Sequence, residues 1–152
     1  MKTKIVTIRE HNYQLRLLSA NVSSFIYFRM MGALLEFKQK EPEADLPDAA
    51  PKMTDEEKAR MLCGMAVMKL SFDDLKFVNQ QAIQAVSKEV TGQQGTFLPL
   101  MSDGGRWADN GEVSDDAALV TELVMSALVF SLAGYFSGSG AVKATDPVTT
   151  SQ

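Results

Sequence analysis

The chain has 152 residues, enough for one ordinary domain and too few for two substantial ones. Its apolar fraction of 45% is that of a folded protein, and fifteen Lys/Arg against nineteen Asp/Glu leave a net charge of −4, which argues against a basic nucleic-acid binder. One Cys and one His exclude an intrachain disulfide framework and a classical zinc set, and residues 1–9 lack the apolar run of a secretory signal.

Charge is unevenly distributed. Residues 1–40 hold seven basic and two acidic side chains, a net +5, and the remainder carries −9. Such an imbalance is either an ordinary solvated surface, unevenly sampled, or a source of attraction within one chain or head to tail between copies.

Lys4 to Ile8 is rich in β-branched residues, and Tyr13-Gln14-Leu15-Arg16-Leu17 alternates apolar and polar, so residues 3–18 read as an antiparallel β-hairpin across the polar Arg9-Glu10-His11-Asn12. An isolated hairpin is marginal in water and needs a further element to lie on. Ser19 or Asn21 can cap the helix that follows, over residues 22–40. Its apolar residues, including Phe25, Phe28, Met30, Leu34 and Leu35, occupy more than one face, so hairpin, helices or another subunit must cover it on more than one side. Three prolines and four acids in residues 41–52 predict an exposed, mobile loop inside one domain.

Thr54 with Glu57 forms a capping-box sequence opening a helix over 54–70, and Ser71-Phe72-Asp73-Asp74 opens another over 72–90. The stripe Leu75, Val78, Ala82, Val86 and Val90 has helical spacing, and Gly92 stands where a left-handed C-terminal cap is expected. Residues 93–113 read as irregular, with turn signals at Asp103-Gly104-Gly105 and Asn110-Gly111 around the single Trp107. A long helix follows over 115–136, and the Gly/Ser/Thr-rich residues 137–152 predict a disordered tail. The whole is a mainly α (α+β) single domain over 1–136: a hairpin packed against about four helices.

No set of residues in this order supplies catalysis. Cys63 has apolar neighbours and His11 falls in the hairpin turn, so the thiol lacks the base that a nucleophile requires. The acid groups at Asp55/Glu56/Glu57, Asp73/Asp74 and Asp115/Asp116 each fall in a first helical turn, where the helix dipole favours negative charge. Gly138-Ser139-Gly140-Ala141-Val142-Lys143 lacks the Gly-Lys-Ser/Thr order of a phosphate loop. Met61, Met65 and Met68 share one helix face, which is ordinary core filling or an adaptable partner surface. The run 117–136 has bilayer-spanning length. Thr121, Glu122, Ser126 and Ser131 interrupt it, however, and no Lys or Arg flanks it closely, so a buried core helix or an interface is the better reading.

The order of elements carries a resemblance. A short hairpin with Tyr13-Gln14-Leu15-Arg16-Leu17-Leu18 precedes helices, a Phe97-Leu98-Pro99-Leu100 loop, and a helix ending Leu128-Val129-Phe130-Ser131-Leu132-Ala133-Gly134-Tyr135-Phe136. Over residues 4–136 this layout resembles the tail assembly chaperones of long-tailed bacteriophages and prophages. The acidic proline loop has no place in that pattern. The resemblance implies a non-enzymatic, cofactor-free protein of the host cytoplasm that binds the tape measure protein, keeps it soluble and recruits tail tube protein. Homo-oligomers are expected from the apolar surface of 22–37 and 117–136. An adaptor retained in the particle and a small membrane-associated protein using 117–136 are the alternatives. For a chaperone, the expected client surface is Phe97, Leu98, Trp107, Phe130, Tyr135 and Phe136, because large aromatics dominate interface energetics.

Overall fold

The structure is a computed structural model that describes residues 2–40, 54–108 and 111–136. The expected loop at 41–52 and tail at 137–152 lie outside the described residues, as do 109–110 and the side chains of 37–40 and 136.

The hairpin consists of β1 (Thr3–Ile8) and β2 (His11–Arg16), paired antiparallel with Val6 opposite Tyr13. Its loop is only the two residues Arg9 and Glu10, both at positive φ (52° and 67°), which matches strand twist but is unusual without Gly or Asn. Helix α1 (Ala20–Lys40) follows, with the Ser19 hydroxyl accepting from Val22 N–H at 3.2 Å as its cap. Helix α2 (Asp55–Met68) has the expected capping box: Thr54 Oγ1 accepts from Glu57 N–H at 3.1 Å, and Glu57 Oε1 accepts from Thr54 N–H at 2.9 Å.

Helix α3 (Phe72–Gln84), capped by Ser71, stops six residues before the expected end at Val90. Residues Val86–Glu89 form strand β3, and Phe97–Pro99, expected to be irregular, form β4. The sheet therefore has four antiparallel strands in the order β1-β2-β3-β4. The physical reason is the free edge of β2: pairing Tyr13, Gln14 and Leu15 with Lys88, Ser87 and Val86 satisfies backbone groups that the hairpin alone leaves open. Val86 fits either a helical stripe or the alternation Val86/Lys88, and the long-range pairing decides. Gly92 does take a left-handed φ of 80°, but in the β3–β4 connection and not at a helix end.

Helix α4 (Ala117–Phe136) carries the core. Leu119, Leu123, Val124, Ala127, Leu128, Val129 and Leu132 are all buried, and α4 packs against α2, α3, α1 and β2. Tyr13, Leu15 and Val86 form the sheet's contribution, while Ile26, Met30 and Leu34 are that of α1. The sheet's other face is mostly polar, with Ile5 exposed on it: Thr7 Oγ1 donates to Asn12 Oδ1 at 2.6 Å and Asn12 Nδ2 donates to Glu89 Oε1 at 3.1 Å. One apolar and one polar face is the ordinary condition of an antiparallel sheet lying on helices.

Leu128 is fully buried in the middle of α4. Leu128→Ala is expected to cost about 2–5 kcal/mol, from lost transfer energy and the cavity left behind. A denaturant titration with an unchanged slope and a lower midpoint checks this.

Candidate functional site

The two ends of α4 are tied to opposite ends of the hairpin. At the N-terminal end Asp116 Oδ1 accepts from Leu119 N–H at 3.1 Å, and its other oxygen pairs with Arg9 at the hairpin turn. The Leu119 amide first, and the Arg9 guanidinium second, hold the Asp116 carboxyl below its ordinary value. At the C-terminal end Leu18 N–H donates to Ser131 Oγ at 3.0 Å. Tyr135 stacks on Tyr27 of α1 with ring centroids 4.2 Å apart, and its hydroxyl lies 3.1 Å from Ser24 Oγ.

The six residues expected to form one client surface are divided by this arrangement. Phe130 lies beside Lys2, whose ammonium sits 5.7 Å from the ring centre, at the β1 edge of the sheet. Tyr135 is engaged by α1. Phe97 and Leu98 belong to β4 at the other edge, three strand spacings away, or about 14 Å. Trp107 lies beyond β4, bridged through its backbone to Met101 and packed, half-buried, against the core. The side chain of Phe136 lies outside the described residues. Phe97 and Leu98 thus share the β4 edge but point to opposite faces of the sheet, Phe130 meets the start of β1, and Tyr135 meets α1.

Of these side chains Leu98 is the exposed one, at 59%. It borders an open groove of about 620 Å³ lined by Val90, Leu98, Pro99, Leu100 and Ala108, with Lys88, Glu89, Thr91 and Glu112 as polar members. The size is that of ordinary binding clefts. Leu98 lies directly across from Lys88 on β3, and Lys88 is ion-paired with Glu112, so a charge pair flanks the apolar strip.

A second apolar surface lies on the α1 segment, whose several apolar faces are expected to need cover. Phe25, Phe28 and Leu35 of α1 and Phe77 of α3 are exposed, and Phe25 meets Phe77 edge-on at 5.2 Å. Arg29 stacks over Phe25 and pairs with Asp74 at 3.6 Å. The 3-4-3 spacing of Phe25, Phe28, Gly32 and Leu35 was the available signal, but sequence alone did not say which face of α1 points inward.

The remaining candidates have local roles. Cys63 is wholly buried on α2 while His11 is exposed on β2, and burial pushes the thiol up to about 12. Asp55, Glu56, Glu57, Asp73 and Asp74 lie in first helical turns as expected, but Asp115 and Asp116 do not: α4 starts at Ala117, and Asp116 caps it from outside. The Glu57 carboxyl is lowered by the Thr54 amide and then the Thr54 hydroxyl. Met61 and Met65 are half-buried, leaving Met68 as the exposed member of the methionine face. No group of three His, Cys, Asp or Glu among the described residues is placed to hold a metal ion. Helix α4 is long and apolar enough to cross a membrane, yet here the sheet and three helices pack on it. No family model, characterised protein or solved structure matches the chain.

Two expectations follow. Native Cys63 should resist thiol reagents at pH 8 and react stoichiometrically once the chain is unfolded, because the raised pKa leaves almost no thiolate. Since folding keeps this thiol neutral, its contribution to stability is constant below the unfolded pKa near 9 and falls as pH rises above it. For Tyr135, a double-mutant cycle with Tyr27 (each to Leu) should give a coupling of about 0.5–1.5 kcal/mol in stability, as a structural aromatic pair does. A coupling near zero would return Tyr135 to the list of free contact residues.

Proposed function

We propose that the protein is a non-enzymatic assembly chaperone of the phage tail type that its layout resembles. In this reading it works in the host cytoplasm, binds an apolar segment of the tape measure protein at the groove beside Leu98, and keeps that client competent to receive tail tube protein. The observation that carries the reading is the exposure of Leu98 over an open groove of mixed apolar and charged lining at the sheet edge. A large aliphatic side chain left in water beside Val90, Pro99 and Ala108 gains about 1.5–3 kcal/mol when a partner covers it fully. Grooves of this kind take an amphipathic helix through a few apolar anchors, while flanking charges such as Lys88–Glu112 fix its register. Phe97, next to Leu98 on β4 and therefore on the opposite face of the sheet, and Trp107 do not line this groove, and neither do Phe130 and Tyr135.

Co-expression with the tape measure protein of the same phage or prophage tests the proposal. The wild-type chain should co-purify with the client and hold it soluble. Leu98→Asp should weaken capture by about 1–3 kcal/mol, roughly tenfold to a hundredfold. The unfolding midpoint should scarcely move, because the side chain is already exposed. Undiminished capture by the folded variant removes the groove from the mechanism. Recovery of the chain in stoichiometric amounts from finished tails would instead identify a retained adaptor.

A further inference from the structure

We infer that two copies of this chain associate through α1, antiparallel about a two-fold axis beside Gly32. The inference uses a different surface from the groove at Leu98 and stands or falls independently of the client reading.

The buried side of α1 is Ser23, Ile26, Met30 and Leu34, fully committed to the core. The opposite side presents Phe28 at 69%, Leu35 at 60% and Phe25 at 42% exposure, with Phe77 of α3 beside Phe25. Taking about 200 Å² for each large side chain, these four expose on the order of 400 Å² of contiguous apolar surface per copy. That is the size of the largest patch a monomer normally tolerates, and such patches are usually functional. Two such patches brought together bury about 800 Å² of apolar area. At the usual apolar share of an interface this corresponds to about 1,300 Å² in total, within the range of a stable dimer.

The spacing says what covers it. Phe25, Phe28, Gly32 and Leu35 follow each other by three, four and three residues, the seam of a helix that packs lengthwise against another helix. At Gly32 a β-carbon would meet nothing within 4 Å, so the seam is open at its centre and lets a second backbone approach closely. The charges flanking the seam choose the direction. Arg29 and Glu36 are exposed, seven residues apart and therefore on the same flank of the helix. Parallel copies would set this flank of each helix against the other flank of its partner, leaving Arg29 and Glu36 on opposite sides of the seam and unpaired across it. Antiparallel copies, with the axis between residues 32 and 33, set Arg29 of each copy level with Glu36 of the other. In that register Leu35 of the second copy drops between Phe28 and Gly32, and the reciprocal contact forms on the other side of the axis. Arg29 keeps its stack on Phe25 and its contact with Asp74, both of which point it along the same flank. The surface is thus self-complementary in shape and charge, as an isologous interface requires.

Sedimentation equilibrium of the wild-type chain should give a dimer at tens of micromolar. Phe28→Glu should raise the dissociation constant about thirtyfold or more while circular dichroism and the unfolding midpoint stay near wild type. Direction is tested by cross-linking. Mixing Arg29→Cys with Glu36→Cys under oxidising conditions should give a disulfide-linked heterodimer, with little linkage of either variant to itself. Native Cys63 is buried and does not compete. Charge variants give a readout without new bonds: Glu36→Arg and Arg29→Glu should each dimerise more weakly than wild type, and their mixture should recover the affinity. A monomeric wild-type chain, a Phe28→Glu variant that still dimerises with wild-type affinity, or self-linkage of Arg29→Cys would each overturn the proposal.

Discussion

The burial of α4 is the constraint on which the rest of the fold depends. From Leu123 to Phe136 the helix has no charged residue, and water cannot be left on more than a narrow side of it. Three helices and a sheet are arranged around it, and seven of its side chains are buried. At about 1.5–3 kcal/mol for each large aliphatic side chain, this burial outweighs any polar contact in the molecule. The sheet itself is secondary to this need: its Tyr13, Leu15 and Val86 form the floor on which α4 lies, and its outer face stays wet.

Apolar burial is non-directional, so register comes from polar contacts at both ends of α4. Arg9–Asp116 at one end, and Leu18–Ser131 with Tyr135–Ser24 at the other, fix the helix along the hairpin and against the start of α1. Arg60–Glu122 does the same for α2. Surface pairs of this kind contribute about 0–1 kcal/mol each, too little to hold the fold but enough to choose among slid arrangements of a smooth apolar helix. The methyl-rich body of α4 supplies the stability, and its polar ends supply the address.

A chain that commits so much apolar surface to one helix has little left to cover the others. Helix α1 is apolar on more than one side; among the described residues it lies against α2, α3 and α4, and its Phe25/Phe28/Leu35 side is exposed. The β4 edge likewise leaves Leu98 open beside its groove. These two surfaces belong to different elements, which lets the proposed self-association and the proposed client binding be separated by point substitutions. Cys63 and the acid clusters are absorbed into core and helix starts.

What the sequence determined by itself is local. Capping residues at Thr54 and Ser71, and the choice of Ser19 or Asn21, located three helix starts, because a side-chain oxygen followed by free amides is legible without tertiary structure. The alternation Tyr13/Leu15 located the hairpin, and the long uncharged run located the core helix. What only the tertiary structure decided is where long-range partners compete with local preference. Val86 fits a helical stripe as well as a strand, and the open edge of β2 converts residues 86–89 into β3, after which β4 follows. The same holds for the surfaces. Residues attractive as one contact patch are separated: Phe97 and Leu98 at the β4 edge, Phe130 beside β1 and Tyr135 against α1, around a sheet whose last two strands sequence periodicity does not reveal. The side of α1 that faces water was fixed only when α2, α3 and α4 chose the other, because an all-round apolar helix carries no signal of its own orientation.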